Sequence, residues 1–178
     1  MAIVNVKIEG LSPLLMHRYP MTEIPGLEKK TPEEQAEHSA YRIPGDSGEL
    51  YIPGVCIQRA LVGAASYSKG KGRATLQKPA AACLLISPEY AGLGTKDFSI
   101  DSRPVVIAAT KGRVMRHRPR IDKWSCEFIL EYDDTLLSAK QVREIVDNAG
   151  SRVGLLDFRP ARNGPFGRFT VTHWEAEE

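Results

Sequence analysis

With 178 residues, 42% apolar and 26% charged, the chain has the size and composition of one soluble globular domain, which excludes a disordered or fibrous protein. Three widely spaced cysteines, Cys56, Cys83 and Cys126, each in an apolar stretch, argue against a disulfide framework or a zinc site and read as buried thiols in a reducing compartment. The net charge of +2 singles out no partner; no apolar run approaches the ~20 residues of a membrane helix, and MAIVNVKIEG lacks a basic region followed by an apolar core, so a cytoplasmic protein without membrane contact is expected.

In chain order, Ala2–Glu9 sets Val4, Val6 and Ile8 against Asn5, Lys7 and Glu9, the period of two that predicts a half-buried strand. Residues 11–48 lack a strong period and contain Pro13, Pro20, Pro25, Pro32 and Pro44. Within them TPEEQAEHSAY (31–41), with Thr31 as cap and Pro32 in the first turn, predicts a short helix. Leu50–Ile52 is extended, and Pro53-Gly54 opens a helix over VCIQRALVGAAS (55–66), with Arg59 off its apolar face. After a Lys/Gly-rich loop, AAACLLIS (80–87) reads as a buried strand, and 104–116 and 124–132 as two strands flanking a basic connection. Ser138 caps a helix over AKQVREIVDNAG, and FTVTHW (169–174) is the last strand. The order strand, helix, strands, helix, strand predicts an α+β, ferredoxin-like antiparallel sheet with two packed helices. The expected organisation is a single domain over 1–178, with insertions at 11–48 and 66–100.

Charge is segregated along the chain. Residues 69–78, 111–123 and 152–168 hold 14 of the 24 Lys and Arg, but only Asp122 and Asp157 of the 22 acids. A basic face on an otherwise acidic body suits a polyanion. The last of these segments contains GLLDFRPARNGPFGRF (154–169), whose glycines Gly154, Gly164 and Gly167 permit close backbone approach while Arg159, Arg162 and Arg168 supply fixed charge. Phe158, Phe166 and Phe169 are candidate stacking platforms, although Phe169, inside the last strand, reads more as a core residue. At Ile52-Pro53-Gly54 the chain turns sharply into a helix whose first amides offer an anion pocket, with Arg59 in reach of a phosphate from the helix flank.

Three pieces in this order, VNVKIEGLSPLLMHR (4–18), GDSGELYIPGVCIQRALVGAA (45–65) and the Gly-rich loop at 154–167, resemble the RAMP superfamily of CRISPR-associated proteins. The resemblance is nearest to its repeating backbone subunits and implies an RRM-like fold. It also implies assembly head to tail along a guide RNA, with other CRISPR-associated proteins as partners. In those subunits a protruding thumb folds over the RNA. The matching segment here is the basic hairpin expected at 111–123, where Arg113, Arg116, His117, Arg118, Arg120 and Lys123 are candidate phosphate contacts and Met115 a candidate wedge. Arg18, Gly54, Arg59, Lys69, Lys71 and Arg73 complete the candidate nucleic-acid contacts, with Arg159, Arg162 and Arg168.

The first reading is a non-catalytic binder of single-stranded nucleic acid, RNA before DNA, needing no cofactor or metal, and a homo-oligomer. A second is a guide-processing endoribonuclease of the same superfamily, for which His17, then His38, is the candidate acid or base. A third is a phage-encoded mimic acting through protein contacts. The metal-assisted aspartate that some backbone subunits carry before the IPG element has only Glu37 and Asp46 as counterparts, in a loop of undefined register.

Overall fold

The computed structural model describes residues 1–45 and 47–177, so Asp46 lies outside the described residues. Its strands and helices run in the order β1 (Ala2–Gly10), β2 (Leu14–Leu15), α1 (Pro32–His38), β3 (Tyr51–Pro53), α2 (Gly54–Ala64), α3 (Gln77–Cys83), β4 (Leu85–Ser87), β5 (Tyr90–Gly92), β6 (Ser99–Val106), β7 (Arg113–Ile121), β8 (Ser125–Tyr132), α4 (Ala139–Asn148) and β9 (Phe169–Ala176). The main sheet has the order β4-β8-β1-β9, antiparallel throughout. Numbered among themselves these strands run 2-3-1-4, with α2 and α4 in the two crossovers. That is the split βαβ arrangement the alternating pattern predicts.

Alternation decides the two faces of this sheet. Val4, Val6 and Ile8 of β1 and Cys126, Phe128 and Leu130 of β8 are buried in one cluster with Ile57 and Leu61 of α2 and Val142, Ile145 and Val146 of α4. Capping boxes start α4 (Ser138 with Gln141) and α1 (Thr31 with Glu34), each satisfying helix-start amides that would otherwise stay unpaired. The opposite face is left open and carries Lys7, Glu127, Ile129, His173 and Glu175.

Two predicted strands take other forms. Residues 80–87 are not one strand: α3 occupies Gln77–Cys83 and only Leu85–Ser87 pair, with β8. Pro79 in the first turn and three consecutive alanines favour the helix over the strand. The segment 66–100, expected as an insertion, therefore supplies β4 to the main sheet. Nor is 104–116 one strand. It spans the end of β6, a turn at 107–112 closed by the Gly112 carbonyl accepting from the Ile107 amide (2.9 Å), and the start of β7. The basic hairpin thus runs from Ser99 to Ile121, and most of 111–123 is its second strand. Residues 11–48 contribute β2, which pairs with β7, and α1, which packs against the same hairpin. No helix among the described residues is long and apolar enough to cross a membrane.

Candidate nucleic-acid interface

The β6–β7 register puts Asp101 opposite Arg118 and Arg103 opposite Arg116, so all four side chains share one face of the hairpin with Arg120. Three guanidiniums surround one carboxylate there. Arg103 donates two hydrogen bonds of 2.7 Å to Asp101, and Arg118 and Arg120 approach it at 3.8 Å. Burial alone would raise the Asp101 carboxyl; the Arg103 hydrogen bonds and the charges of Arg103, Arg118 and Arg120 overcome it and hold the group below its ordinary value. The Gly/Arg loop lies over this face. Its Asp157 accepts a short hydrogen bond from Arg118, and its Phe158 and Phe166 rings receive the Arg103 guanidinium at 5.4 and 4.9 Å.

Arg118 is therefore not a free phosphate contact. It is 4% exposed and bridges Asp157 to Asp101, pinning loop to hairpin. Arg120 is also engaged, with Asp122 at 2.8 Å and with Phe166 at 5.6 Å. Phe166 is buried and both rings are occupied by the hairpin's own arginines, so the structure does not present them as open platforms for bases. The loop glycines serve its own folding. A Cβ at Gly164 would overlap the Phe158 carbonyl, and Gly167 has φ +75° with its α-carbon against the Leu155 backbone. Gly164→Ala should thus lower stability by about 1–3 kcal/mol, the usual cost of overpacking against backbone. Urea denaturation would show it, and an unchanged midpoint would contradict the packing described.

At the end of the sheet where α2 begins, His17, Tyr41, Cys56, Leu156, Asp157 and Arg159 line a cleft of about 190 Å³. Met16 continues β2, its amide donating to the Pro119 carbonyl at 3.0 Å, so His17 sits on the arginine face of the hairpin. Arg116 stands 3.3 Å from His17 Nε2. Arginine only donates, so Nε2 accepts and the neutral ring carries its proton on Nδ1. Burial, and then the Arg116 charge, push the His17 pKa below its ordinary value, which keeps the ring neutral at pH 7. Burial raises the Cys56 thiol, against the nearby charges of Arg159 and Arg59. Arg159 is held in place by one hydrogen bond of 2.8 Å to the Leu156 carbonyl.

Among the described residues no carboxylate is paired with Arg18, Arg116 or Arg159. The amides of Val55 and Cys56, at the start of α2, are likewise without acceptors among the described residues. Gly54 is different: it is buried, its amide donates to the Glu89 carbonyl at 2.8 Å, and a Cβ there would press on the Pro88 carbonyl. Its glycine answers to packing and not to phosphate.

The remaining candidates disperse. Arg113 and Met115 are exposed near the hairpin tip, Met115 by 53%. His117 lies on the hairpin's other face, 2.7 Å from the Ser102 hydroxyl. Lys123 sits exposed in the β7–β8 turn, Arg162 in the exposed turn Pro160–Arg162, Arg168 just before β9 and Arg59 on the flank of α2. Lys69, Lys71 and Arg73 lie in the loop that follows the C-terminal end of α2, and none of them lines the cleft. His38 is exposed at the end of α1 and does not line the cleft, and Glu37 is bound by Arg42.

Arg103, Asp101, Tyr41 and the acceptor role of Asp157 are what sequence reasoning missed. The alternation in SIDSRPVV is the one signal that would have placed Asp101 and Arg103 on a common face. A larger groove of about 680 Å³ crosses the open sheet face, but it mixes Glu127 and Glu175 with Lys7 and His173, and Glu127 already pairs with Lys7 at 3.4 Å. Its charge does not suit a polyanion.

No family model and no curated protein matches the sequence. Among solved structures, the chain is similar to one in the cryo-EM structure of the Type III-B Cmr-beta bound to cognate target RNA, with a TM-score of 0.62 and 14% identity. The match covers 99% of this chain, which spans 61% of the neighbour's length. The likeness is one of fold, and it agrees with the α+β, RRM-like arrangement of an antiparallel sheet and two packed helices described above.

Proposed function

We propose that this protein binds the backbone of single-stranded nucleic acid, RNA in the first instance, without catalysis, at the end of the sheet where the Gly/Arg loop meets the β6–β7 hairpin. One observation carries the reading. Arg159 lines the cleft, Arg116 stands 3.3 Å from its His17, and Arg18 follows His17 and acts by its charge on Tyr41 of the lining; none of the three is neutralised by a carboxylate among the described residues. Guanidiniums held in this way pay little ordering entropy on meeting a phosphate. The neighbour of similar fold is described as bound to target RNA, which supports RNA as the ligand class and CRISPR-associated proteins as partners.

The test is anisotropy of a labelled single-stranded RNA across a salt series. Three phosphate contacts predict log K falling with log salt at a slope of about −2, since each contributes roughly −0.7 on a single strand. Lys69→Ala and Lys71→Ala, at the far end of α2, should leave that slope unchanged. A salt-independent affinity, or no binding at low salt, would remove this reading in favour of a protein-docking module.

A further inference from the structure

The cleft contains one feature that phosphate binding does not explain. Among Arg159, Tyr41, Cys56 and the nearby Arg116, all of them donors, it holds a carboxylate, Asp157. One oxygen, Oδ2, accepts from Arg118; the other, Oδ1, has no hydrogen-bond partner among the described residues, and the side chain is 32% exposed. Asp157 is also firmly aimed. Its amide donates to the Leu15 carbonyl at 3.0 Å, and its neighbours Leu156 and Phe158 both hold positive φ, 61° and 46°. Two non-glycine left-handed positions, one on each side of Asp157, store strain that a plain surface turn would not keep.

A free carboxylate oxygen beside a phosphate site repels the ligand unless the ligand brings a donor. A DNA backbone has none: phosphodiester and deoxyribose oxygens only accept. The RNA backbone has a single donor, the ribose 2′-hydroxyl. We infer that Asp157 Oδ1 accepts a hydrogen bond from a ribose 2′-hydroxyl while Arg116 and Arg159 hold the adjoining phosphate, which makes Asp157 the residue that selects RNA over DNA. This rests on the backbone-binding reading above and adds its specificity. The Arg118 pair fixes the carboxylate in place and leaves its second oxygen for the ligand.

Single-stranded oligonucleotides of one sequence, with ribose, 2′-fluoro, 2′-deoxy or 2′-O-methyl sugars, separate the possibilities on the unmodified protein. The 2′-fluoro sugar keeps the ribose pucker but cannot donate. Ribose should bind about tenfold or more tighter than 2′-fluoro, the worth of one charge-assisted hydrogen bond. The 2′-deoxy sugar should match 2′-fluoro, and 2′-O-methyl should be no better. Asp157→Ala should bring the ribose and 2′-fluoro affinities together within about twofold. Since this substitution also frees Arg118, Arg118→Met with Asp157 retained serves as the control for lost loop anchoring: it should weaken all four oligonucleotides together, with the ribose preference reduced but still above the twofold limit of Asp157→Ala. Equal, salt-dependent binding of all four oligonucleotides by the unmodified protein would overturn the inference and leave backbone binding standing. Binding of none would overturn both.

Discussion

Replacing Asp101 by alanine is expected to cost the fold about 3–5 kcal/mol, the range for breaking a buried ion cluster from one side. The carboxylate is 7% exposed and is the shared partner of Arg103, Arg118 and Arg120, so its removal leaves three close guanidiniums with only Asp157 and Asp122 on the cluster's margins. The same position carries a pH signature. Because the folded-state pKa of Asp101 is lowered, its contribution is full above the unfolded value, about 3.9, and is lost as pH falls through the folded value. The stability gap between the natural protein and Asp101→Ala should therefore be constant from pH 5 to 7 and close progressively below about pH 4. Chemical denaturation at a series of pH values measures it. A gap under 1 kcal/mol at pH 7 would mean that the hairpin base does not depend on this cluster.

The largest functional effect is expected from Arg116→Ala combined with Arg159→Ala. A charge-assisted hydrogen bond to phosphate contributes about 1.5–3 kcal/mol, so each loss weakens RNA binding roughly 10- to 100-fold, and the two together should remove detectable binding at physiological salt. Neither side chain pairs with a carboxylate among the described residues, so unfolding stability should move by less than about 1 kcal/mol. That separates this pair from Arg118, whose loss should damage the fold as well as binding. Arg116→Ala alone should also relieve His17 of a neighbouring positive charge, letting the imidazole titrate closer to its ordinary value in an NMR pH series.

The framework of the fold was readable because its signals are local. Alternation in VNVKIE and in CEFILEY, and capping residues at Ser138 and Thr31, each determine an element within a few residues. Where local signals conflict, reading failed. Residues 80–87 combine a helix-favouring alanine run with a strand-favouring LLI, and 104–116 hide a tight turn inside an apolar stretch without Asn-Gly or Pro-Gly to mark it. The site was legible in its residue types and not in their partners. Arg118 looked like its neighbours Arg116 and Arg120, yet its fate is decided by Asp157, 39 positions away. Likewise the glycines of 154–167 announced close backbone approach, but the backbone that approaches is the loop's own. Composition cannot distinguish an arginine that meets solvent from one that anchors a turn, because the difference lies in a long-range contact.

The account depends on nucleic acid lying at the α2 end of the sheet and not across its open face. Amide hydrogen exchange of the protein with and without a saturating single-stranded RNA reads this directly. Protection is predicted in residues 16–18, 55–59, 113–118 and 155–162, with no change in 127–131 or 171–175. Protection confined to those β8 and β9 segments, with the Gly/Arg loop unaltered, would contradict it.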